Sequence, residues 1–230
     1  MSNISRLSRI YTDICVVGAG IAGLSAALYA ARNGAKTIMV DHYPQIGGEA
    51  FNSLIGTFCG FYGNAPEYNL LTKGIAEEML KELQDMGGLI EQRRDGTIVP
   101  IYDEILFLRW AEKKVEEAGV IPLTETTISE VNRQNRRIVS ITGHNRFGDV
   151  EIHAKCFVDA SGDAVLAWLS EIPFTTEKNI KGSIMFSMSG VDYSIPHPSD
   201  EELNTALEKK NHSAWPYSCR RLCRSRGNCL

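Results

Sequence analysis

The residues best suited to chemistry lie in one short stretch near the N-terminus. Three glycines there are spaced as Gly-x-Gly-x-x-Gly and follow a short apolar run. The first glycine allows a tight turn, the second lets the backbone approach a pyrophosphate, and the third lets a helix pack closely on a strand. Phosphates bind unpaired N–H groups at such a helix start, so the stretch predicts a dinucleotide site. Its predicted contacts are Gly18, Gly20, Ile21, Ala22 and Gly23.

A carboxylate follows at the spacing that ribose recognition requires. Residues 24–33 predict an alanine-rich helix that ends at Gly34, and residues 37–40 predict a second buried strand. That strand leads to Asp41, roughly 20 positions after the third glycine, where a carboxylate accepts ribose hydroxyls. A glycine turn alone is weak evidence, because such turns also serve packing. The surrounding strand-helix-strand pattern favours the dinucleotide site.

A glycine pair distinguishes this chain from plain NAD-binding domains. Gly47 and Gly48 follow the carboxylate and lead into the glycine-rich residues 56–61. This arrangement resembles the flavin-dependent oxidoreductases of the glutathione-reductase-like superfamily and, more narrowly, the family known as FAD-dependent oxidoreductases. The resemblance implies FAD as the cofactor, with the glycine pair close to its pyrophosphate and to the approach of the flavin.

A second signature lies further along the chain. Residues 120–123, 126–131, 137–142 and 150–158 predict short strands that form a β-meander, which in the resembled superfamily lies across the edge of the dinucleotide domain. The last strand leads into Ala-Ser-Gly-Asp, which is similar to the superfamily's second FAD signature, with serine in place of threonine. The resemblance implies cofactor contacts from Gly162 and Asp163 and an adenine contact from the backbone near Ile128.

Two further helices and several cysteines have simpler interpretations. Residues 67–86 predict an amphipathic helix, and residues 103–118 predict another that Asp103 caps. The second helix has a mixed-charge face that we interpret as solvated: Glu112, Lys113, Lys114, Glu116 and Glu117. Cys15 and Cys156 fall in predicted buried strands and are interpreted as packing residues. Cys59 lies in the glycine-rich loop, and no role is assigned to Cys219, Cys223 and Cys229.

Composition and charge restrict the classes of function. The chain has 230 residues, 43% of them hydrophobic and 23% charged, and its net charge of −4 gives no general attraction for nucleic acid or acidic membranes. The first eleven residues lack the apolar segment of a secretory signal. Glycines interrupt the longest apolar stretch, so it is not a membrane span. We therefore expect a cytoplasmic protein without nucleic-acid or membrane partners, and the resemblance implies a small-molecule substrate.

The expected fold class is α/β, a Rossmann-like FAD-binding domain with a parallel sheet and an inserted β-meander. Residues 1–179 would form this domain, with the meander at about 120–158. Residues 180–208 would begin a substrate domain, in which residues 199–202 predict a capping box, and residues 209–230 would be a basic, disordered tail. Full-length members of the resembled family return to the first domain with a segment that closes over the flavin. The chain is therefore expected to be truncated.

The resemblance implies hydride transfer between an organic substrate and flavin. No residue is identified as a general base, so the catalytic residues stay unassigned, and no metal site is predicted. A second interpretation is a thiazole-synthase-like protein that consumes NAD, supported by Cys59. A third is a non-enzymatic, truncated nucleotide-binding fragment. The sequence leaves open the substrate, the electron acceptor and the oligomeric state.

Overall fold

The computed structural model describes residues 8–94 and 96–176, together with Ser199, Glu201, Glu202 and Thr205. The strands are β1 (Ser8–Val17), β2 (Thr37–Val40), β3 (Leu89–Arg94), β4 (Thr97–Tyr102), β5 (Ile121–Leu123), β6 (Thr127–Gln134), β7 (Arg137–Asn145) and β8 (Gly148–Asp159). The helices are α1 (Ile21–Arg32), α2 (Glu49–Asn52), α3 (Ile75–Asp85), α4 (Glu104–Glu117) and α5 (Val165–Leu169).

The main sheet has six strands in the order β5-β2-β1-β8-β7-β6. Neighbours from β5 to β8 pair in parallel, whereas β8, β7 and β6 pair antiparallel as a meander. The predicted α/β class with a mainly parallel sheet is confirmed. The assignment of residues 120–123 to the meander is wrong, because they form β5 and Ile38 of β2 pairs with Ile121. The strand follows helix α4, a crossover that returns it parallel to its neighbour.

Apolar side chains on both faces hold this sheet in place. In β2, Met39 belongs to one buried cluster, while Ile38 and Val40 belong to another, as the alternation of a strand requires. The first cluster includes side chains of α1, α3 and α4, among them the fully buried Phe107 and Trp110. Burying one such side chain contributes about 1.5–3 kcal/mol. The carboxyl ends of β1 and β2, which carry the predicted site, are therefore anchored in these buried clusters.

The helix predicted over residues 67–86 is wrong in its first half. Residues 69–71 instead run antiparallel to residues 61–63, since Leu71 N–H donates to Phe61 O and Gly63 N–H donates to Asn69 O, each at 2.8 Å. Leu71 is consequently exposed instead of packed in the core. The antiparallel pair β3–β4 was not predicted, although the Asp-Gly dipeptide between its strands is a common hairpin signal.

Helix α4 begins as predicted, but one lysine of its mixed-charge face is buried. The Asp103 carboxylate accepts two N–H groups of the first turn, at 2.9 and 3.0 Å. The interpretation of Lys114 as solvated is wrong, because its side chain is 9% exposed. Its Nζ lies 2.8 Å from Glu82 Oε1 and 3.0 Å from Glu78 Oε1, both on α3. These carboxylates make the burial of a lysine tolerable.

The chain divides into two compact units, Met1–Met185 and Phe186–Leu230. In the second, Ser199 N–H donates to Glu202 Oε2 at 2.7 Å and Glu202 N–H donates to Ser199 Oγ at 3.2 Å. The predicted capping box is thereby confirmed. The predicted start of a substrate domain before it and the basic residues 209–230, with their cysteines, lie outside the described residues.

Of the two cysteines predicted to be packing residues, one is buried and one is exposed. Cys15 is buried as predicted, and burial raises the pKa of its thiol to about 12. The prediction for Cys156 is wrong, because this cysteine is exposed next to Lys155, where the burial pattern of β8 opens to solvent. In the described part of the chain, no helix combines the length and apolar character needed to cross a bilayer.

Candidate functional site

The turn between β1 and α1 offers backbone N–H groups at the edge of the sheet. The first hydrogen bond inside α1 runs from Leu24 N–H to Gly20 O, at 2.8 Å. The N–H groups of Ile21, Ala22 and Gly23 therefore precede the helical ladder and have no intrahelical acceptor. Together with the helix dipole they favour an anion at this end of α1.

Gly20 is the glycine that best indicates a ligand. Its φ of −71° is ordinary for any residue. A Cβ built on it would meet a single described atom within 4 Å, the Cα of Gly48 at 3.9 Å. Neither backbone strain nor protein packing therefore requires glycine at this position. The open space fits a cofactor whose phosphates approach the backbone closely, which is the cradle that a pyrophosphate needs.

Gly18 and Gly23 serve packing inside the protein. Gly18 has a φ of +105°, and a Cβ there would lie 2.1 Å from Ala160 O. Its N–H donates to Val40 O at 2.7 Å and is thus not available to a phosphate. A Cβ on Gly23 would lie 1.8 Å from Gly18 O. These two glycines let α1, β1 and the turn after β8 touch one another.

The glycine pair lies against the first turn. Gly47 N–H donates to Ala19 O at 2.7 Å, and Gly20 and Gly47 form an isolated β-bridge. A Cβ on Gly48 would lie 2.7 Å from Gly20 Cα, and one on Gly47 would lie 3.0 Å from the ring of Phe107. The structure therefore brings the predicted pair directly beside the predicted phosphate turn.

Asp41 lies at the end of β2, and both of its carboxylate oxygens contact backbone. Oδ2 accepts Ala19 N–H at 2.5 Å and Oδ1 accepts Tyr43 N–H at 2.8 Å, and the residue is 8% exposed. His42 Nδ1 lies 3.3 Å from Oδ1. Since a carboxylate oxygen has two lone pairs, Oδ2 can accept one more donor, such as a ribose hydroxyl. Asp41 also fixes the orientation of the glycine turn.

The second predicted signature meets the first at the adjacent strand end. Ala160 N–H donates to Val17 O at 2.8 Å, which joins the turn after β8 to the end of β1. Gly162 has a φ of +83°, and a Cβ there would meet no described atom within 4 Å. Asp163 is exposed next to it. Gly162 and Asp163 thus border the same edge as the glycine turn.

The strand that contains Ile128, β6, begins next to Asp41 at the end of β2. Thr126 N–H donates to Asp41 O at 2.9 Å, one residue before β6 begins at Thr127. The Ile128 side chain packs in the second buried cluster, and its Cα is paired with that of Gly143 in β7. A contact from this residue to a nucleotide would therefore come from its backbone.

Sequence reasoning missed two residues that shape the site. Ala19 N–H donates to the Asp41 carboxylate, and Ala19 O accepts Gly47 N–H. Both are backbone roles, which no side-chain pattern indicates. Asp159 accepts hydrogen bonds from Ser161 and from the start of α5. An aspartate at a strand end with serine two positions later is a signal for such a turn.

The described residues favour binding over acid–base chemistry at this edge. Cys59 is exposed in the loop after the glycine pair. Within the described ranges, no group of three His, Cys, Asp or Glu side chains is placed to hold a metal ion. The arrangement can hold an anion at α1, hydroxyls at Asp41 and a closely packed ligand over Gly20.

Comparisons with known proteins agree with this geometry. Residues 13–228 match the model of a family described as FAD dependent oxidoreductase. Protein FixC of Bradyrhizobium diazoefficiens is 30% identical over 162 residues, which are 65% of this chain and 36% of FixC. Thiamine thiazole synthase of Sulfolobus acidocaldarius is 31% identical over 164 residues, 66% of this chain and 56% of that protein. The crystal structure of Thermovibrio ammonificans THI4 matches with a TM-score of 0.50 at 20% identity, over 71% of this chain and 64% of that one, a likeness of fold.

Proposed function

Because this chain belongs to the family of FAD-dependent oxidoreductases, whose cofactor is FAD, we propose that its glycine turns bind the cofactor's ADP half. The complete protein would transfer hydride between a small organic substrate and flavin. The chain spans 36% of FixC and 56% of the thiazole synthase, so this activity is proposed for the complete protein. We further propose that the protein belongs to the glutathione-reductase-like superfamily and is cytoplasmic.

One observation carries the proposal: Gly20 has ordinary backbone angles and open space where a side chain would be. Around it we assign the N–H groups of Ile21 and Ala22 to the pyrophosphate and Asp41 to the ribose hydroxyls. The glycine pair would border the pyrophosphate, and the backbone near Ile128 would contact adenine. Gly162 and Asp163 would contribute from the second turn.

The chemistry comes from the bound flavin, which accepts or donates hydride at N5. The described residues bind and orient it, and none is assigned as a proton donor or acceptor. Residues 1–179 are proposed as the FAD-binding domain, residues 180–208 as the start of a substrate domain and residues 209–230 as a basic tail.

The proposal is tested by placing a side chain in the cradle. Gly20→Val should raise the Kd for FAD at least about tenfold, since its side chain would occupy the space of the pyrophosphate. Its melting temperature without FAD should change by no more than about 2 °C, because the nearest described atom to the added Cβ is Gly48 Cα, at 3.9 Å. The matched control is Ala30→Val, near the other end of α1.

FAD titration followed by flavin fluorescence gives the Kd of each protein. We expect the parent and Ala30→Val to bind alike and Gly20→Val to bind weakly or not at all. Equal binding by Gly20→Val would refute the phosphate assignment. A parent chain that takes up no FAD would refute the proposed function itself.

A thiazole-synthase-like, NAD-consuming protein is the second candidate. It is favoured by the similarity to the Sulfolobus thiazole synthase and by the exposed Cys59 in the loop after the glycine pair. Mass spectrometry of nucleotide released from the purified protein distinguishes the two candidates. FAD with a yellow absorbance supports the first, and colourless, NAD-derived adenosine compounds support the second.

A further inference from the structure

We infer that Asp159 is a positioning residue of the cofactor site, which holds the second turn in the shape that presents Gly162 and Asp163 to FAD. The inference rests on the proposed function, because that function supplies the cofactor. Asp159 is the last residue of β8 and pairs with Val17, the last residue of β1. It therefore stands beside the first glycine turn but is separated from Gly162 by two residues.

The Asp159 carboxylate ties both ends of the second turn together. Oδ1 accepts the Ser161 hydroxyl at 2.6 Å and Ser161 N–H at 3.2 Å. Oδ2 accepts the N–H groups of Leu166 and Ala167, at 2.9 and 3.1 Å, in the first turn of α5. One side chain thus fixes the entry to the turn with one oxygen and its exit with the other.

Ser161 adds to this closure, by which we mean the hydrogen bonds of Asp159 and Ser161 that hold the two ends of the turn together. Its hydroxyl donates to Asp159 and its Oγ accepts Val165 N–H at 2.9 Å. Between these two anchored ends lie Gly162 and Asp163, which have no part in the closure and can face a ligand. The hydroxyl at position 161 is therefore needed for these two hydrogen bonds, and a threonine hydroxyl can make them equally well.

The turn needs this support because its backbone is strained. Ala164 has a φ of +54°, in the left-handed region that is unfavourable for a residue with a Cβ. Gly162 also has a positive φ of +83°. Hydrogen bonds to a charged acceptor are stronger than those to a neutral one and can offset this strain. Without Asp159 the turn is expected to relax and to carry Gly162 away from its present position.

A carboxylate is required, since every partner of Asp159 is a donor. An asparagine would place an amide NH₂ against N–H groups on one side and would lose the hydrogen bonds made there. Movement of the turn would reach the first signature, because Ala160 O lies 2.1 Å from where a Cβ on Gly18 would be. The first glycine turn and the turn after β8 are in van der Waals contact, so displacement of one changes the surroundings of the other.

The test compares variants of the closure in the full chain. Asp159→Asn and Ser161→Ala should each raise the Kd for FAD about tenfold, equivalent to about 1.4 kcal/mol. Ser161→Thr should stay within about twofold of the parent, because it keeps the hydroxyl. The double variant should be little worse than either single one, since both residues act through one unit. The matched control is Asp13→Asn, four residues before the end of β1, where the carboxylate accepts Lys36 N–H at 2.9 Å.

FAD fluorescence titration and the melting temperature without FAD are measured for each protein. Weaker binding by Asp159→Asn and Ser161→Ala, rescue in Ser161→Thr and an unchanged Asp13→Asn support the inference. Parental FAD affinity in a folded Asp159→Asn variant overturns it and leaves the proposed function intact. If Asp159→Asn does not fold, Ser161→Ala decides by the same criterion. Absence of FAD binding by the parent instead refutes the proposed function.

Discussion

Replacing Lys114 by methionine should lower the free energy of unfolding by about 2–3 kcal/mol. Lys114 on α4 lies against two carboxylates of α3, Glu82 and Glu78, at 2.8 and 3.0 Å, and 3.4 Å from Glu117. Burial alone would lower the pKa of Lys114, but the hydrogen bonds to these carboxylates outweigh it and raise the pKa above its usual value. The ammonium group is therefore charged and binds two helices together.

The magnitude follows from the unequal burial of the partners. Removing one partner of a fully buried ion pair costs about 3–5 kcal/mol, whereas exposed pairs contribute about 0–1 kcal/mol. The Lys114 side chain is 9% exposed, but those of Glu78 and Glu82 are 27% and 35% exposed. Water can thus partly solvate the carboxylates that methionine would leave behind. Trp110 Nε1–H, at 3.0 Å from Glu82 Oε2, also remains as a donor.

Thermal and urea unfolding of the two proteins measure this difference. A loss of 2–3 kcal/mol corresponds to a fall in melting temperature of about 4–12 °C for a unit of this size. The matched control is Lys113→Met on the same helix, whose pair with Glu117 at 3.7 Å is exposed on both sides. It should change stability by less than about 0.5 kcal/mol. A Lys114→Met variant as stable as this control would refute the reasoning.

Two further predictions concern acid stability and glycine packing. Hydrogen bonds from Arg32 lower the pKa of Glu78 to about 2, against burial, so this residue's contribution to stability is complete above pH 4.5 and is lost as the pH falls towards 2. Urea unfolding between pH 5 and pH 2 should therefore show a smaller acid-induced loss for Glu78→Gln, and an identical loss would contradict this assignment. Gly23→Ala should destabilise the apoprotein by more than about 1 kcal/mol, because its Cβ would lie 1.8 Å from Gly18 O, and an unchanged melting temperature would exclude that packing role.

The parts of the fold that could be predicted are those that short-range chemistry decides. β2 has the predicted bounds, and the caps at Asp103 and Ser199 form as predicted, because each depends on residues within one turn. The pairing of β5 with β2 and the burial of Lys114 depend on partners far along the chain. Helical periodicity of residues 67–86 does not reveal that residues 69–71 instead pair with residues 61–63.

In the candidate site, too, the sequence predicts the glycine motif, but the contacts that distinguish its three glycines come from the folded structure. The sequence presents Gly18, Gly20 and Gly23 as one motif, but the structure separates them by what surrounds each one. Gly18 and Gly23 are required by protein contacts, because a Cβ on either would overlap a backbone carbonyl oxygen. Those two would be needed in a fold that bound nothing. Gly20 is not required in this way, so the case for a cofactor at this edge depends on it more than on the completeness of the motif.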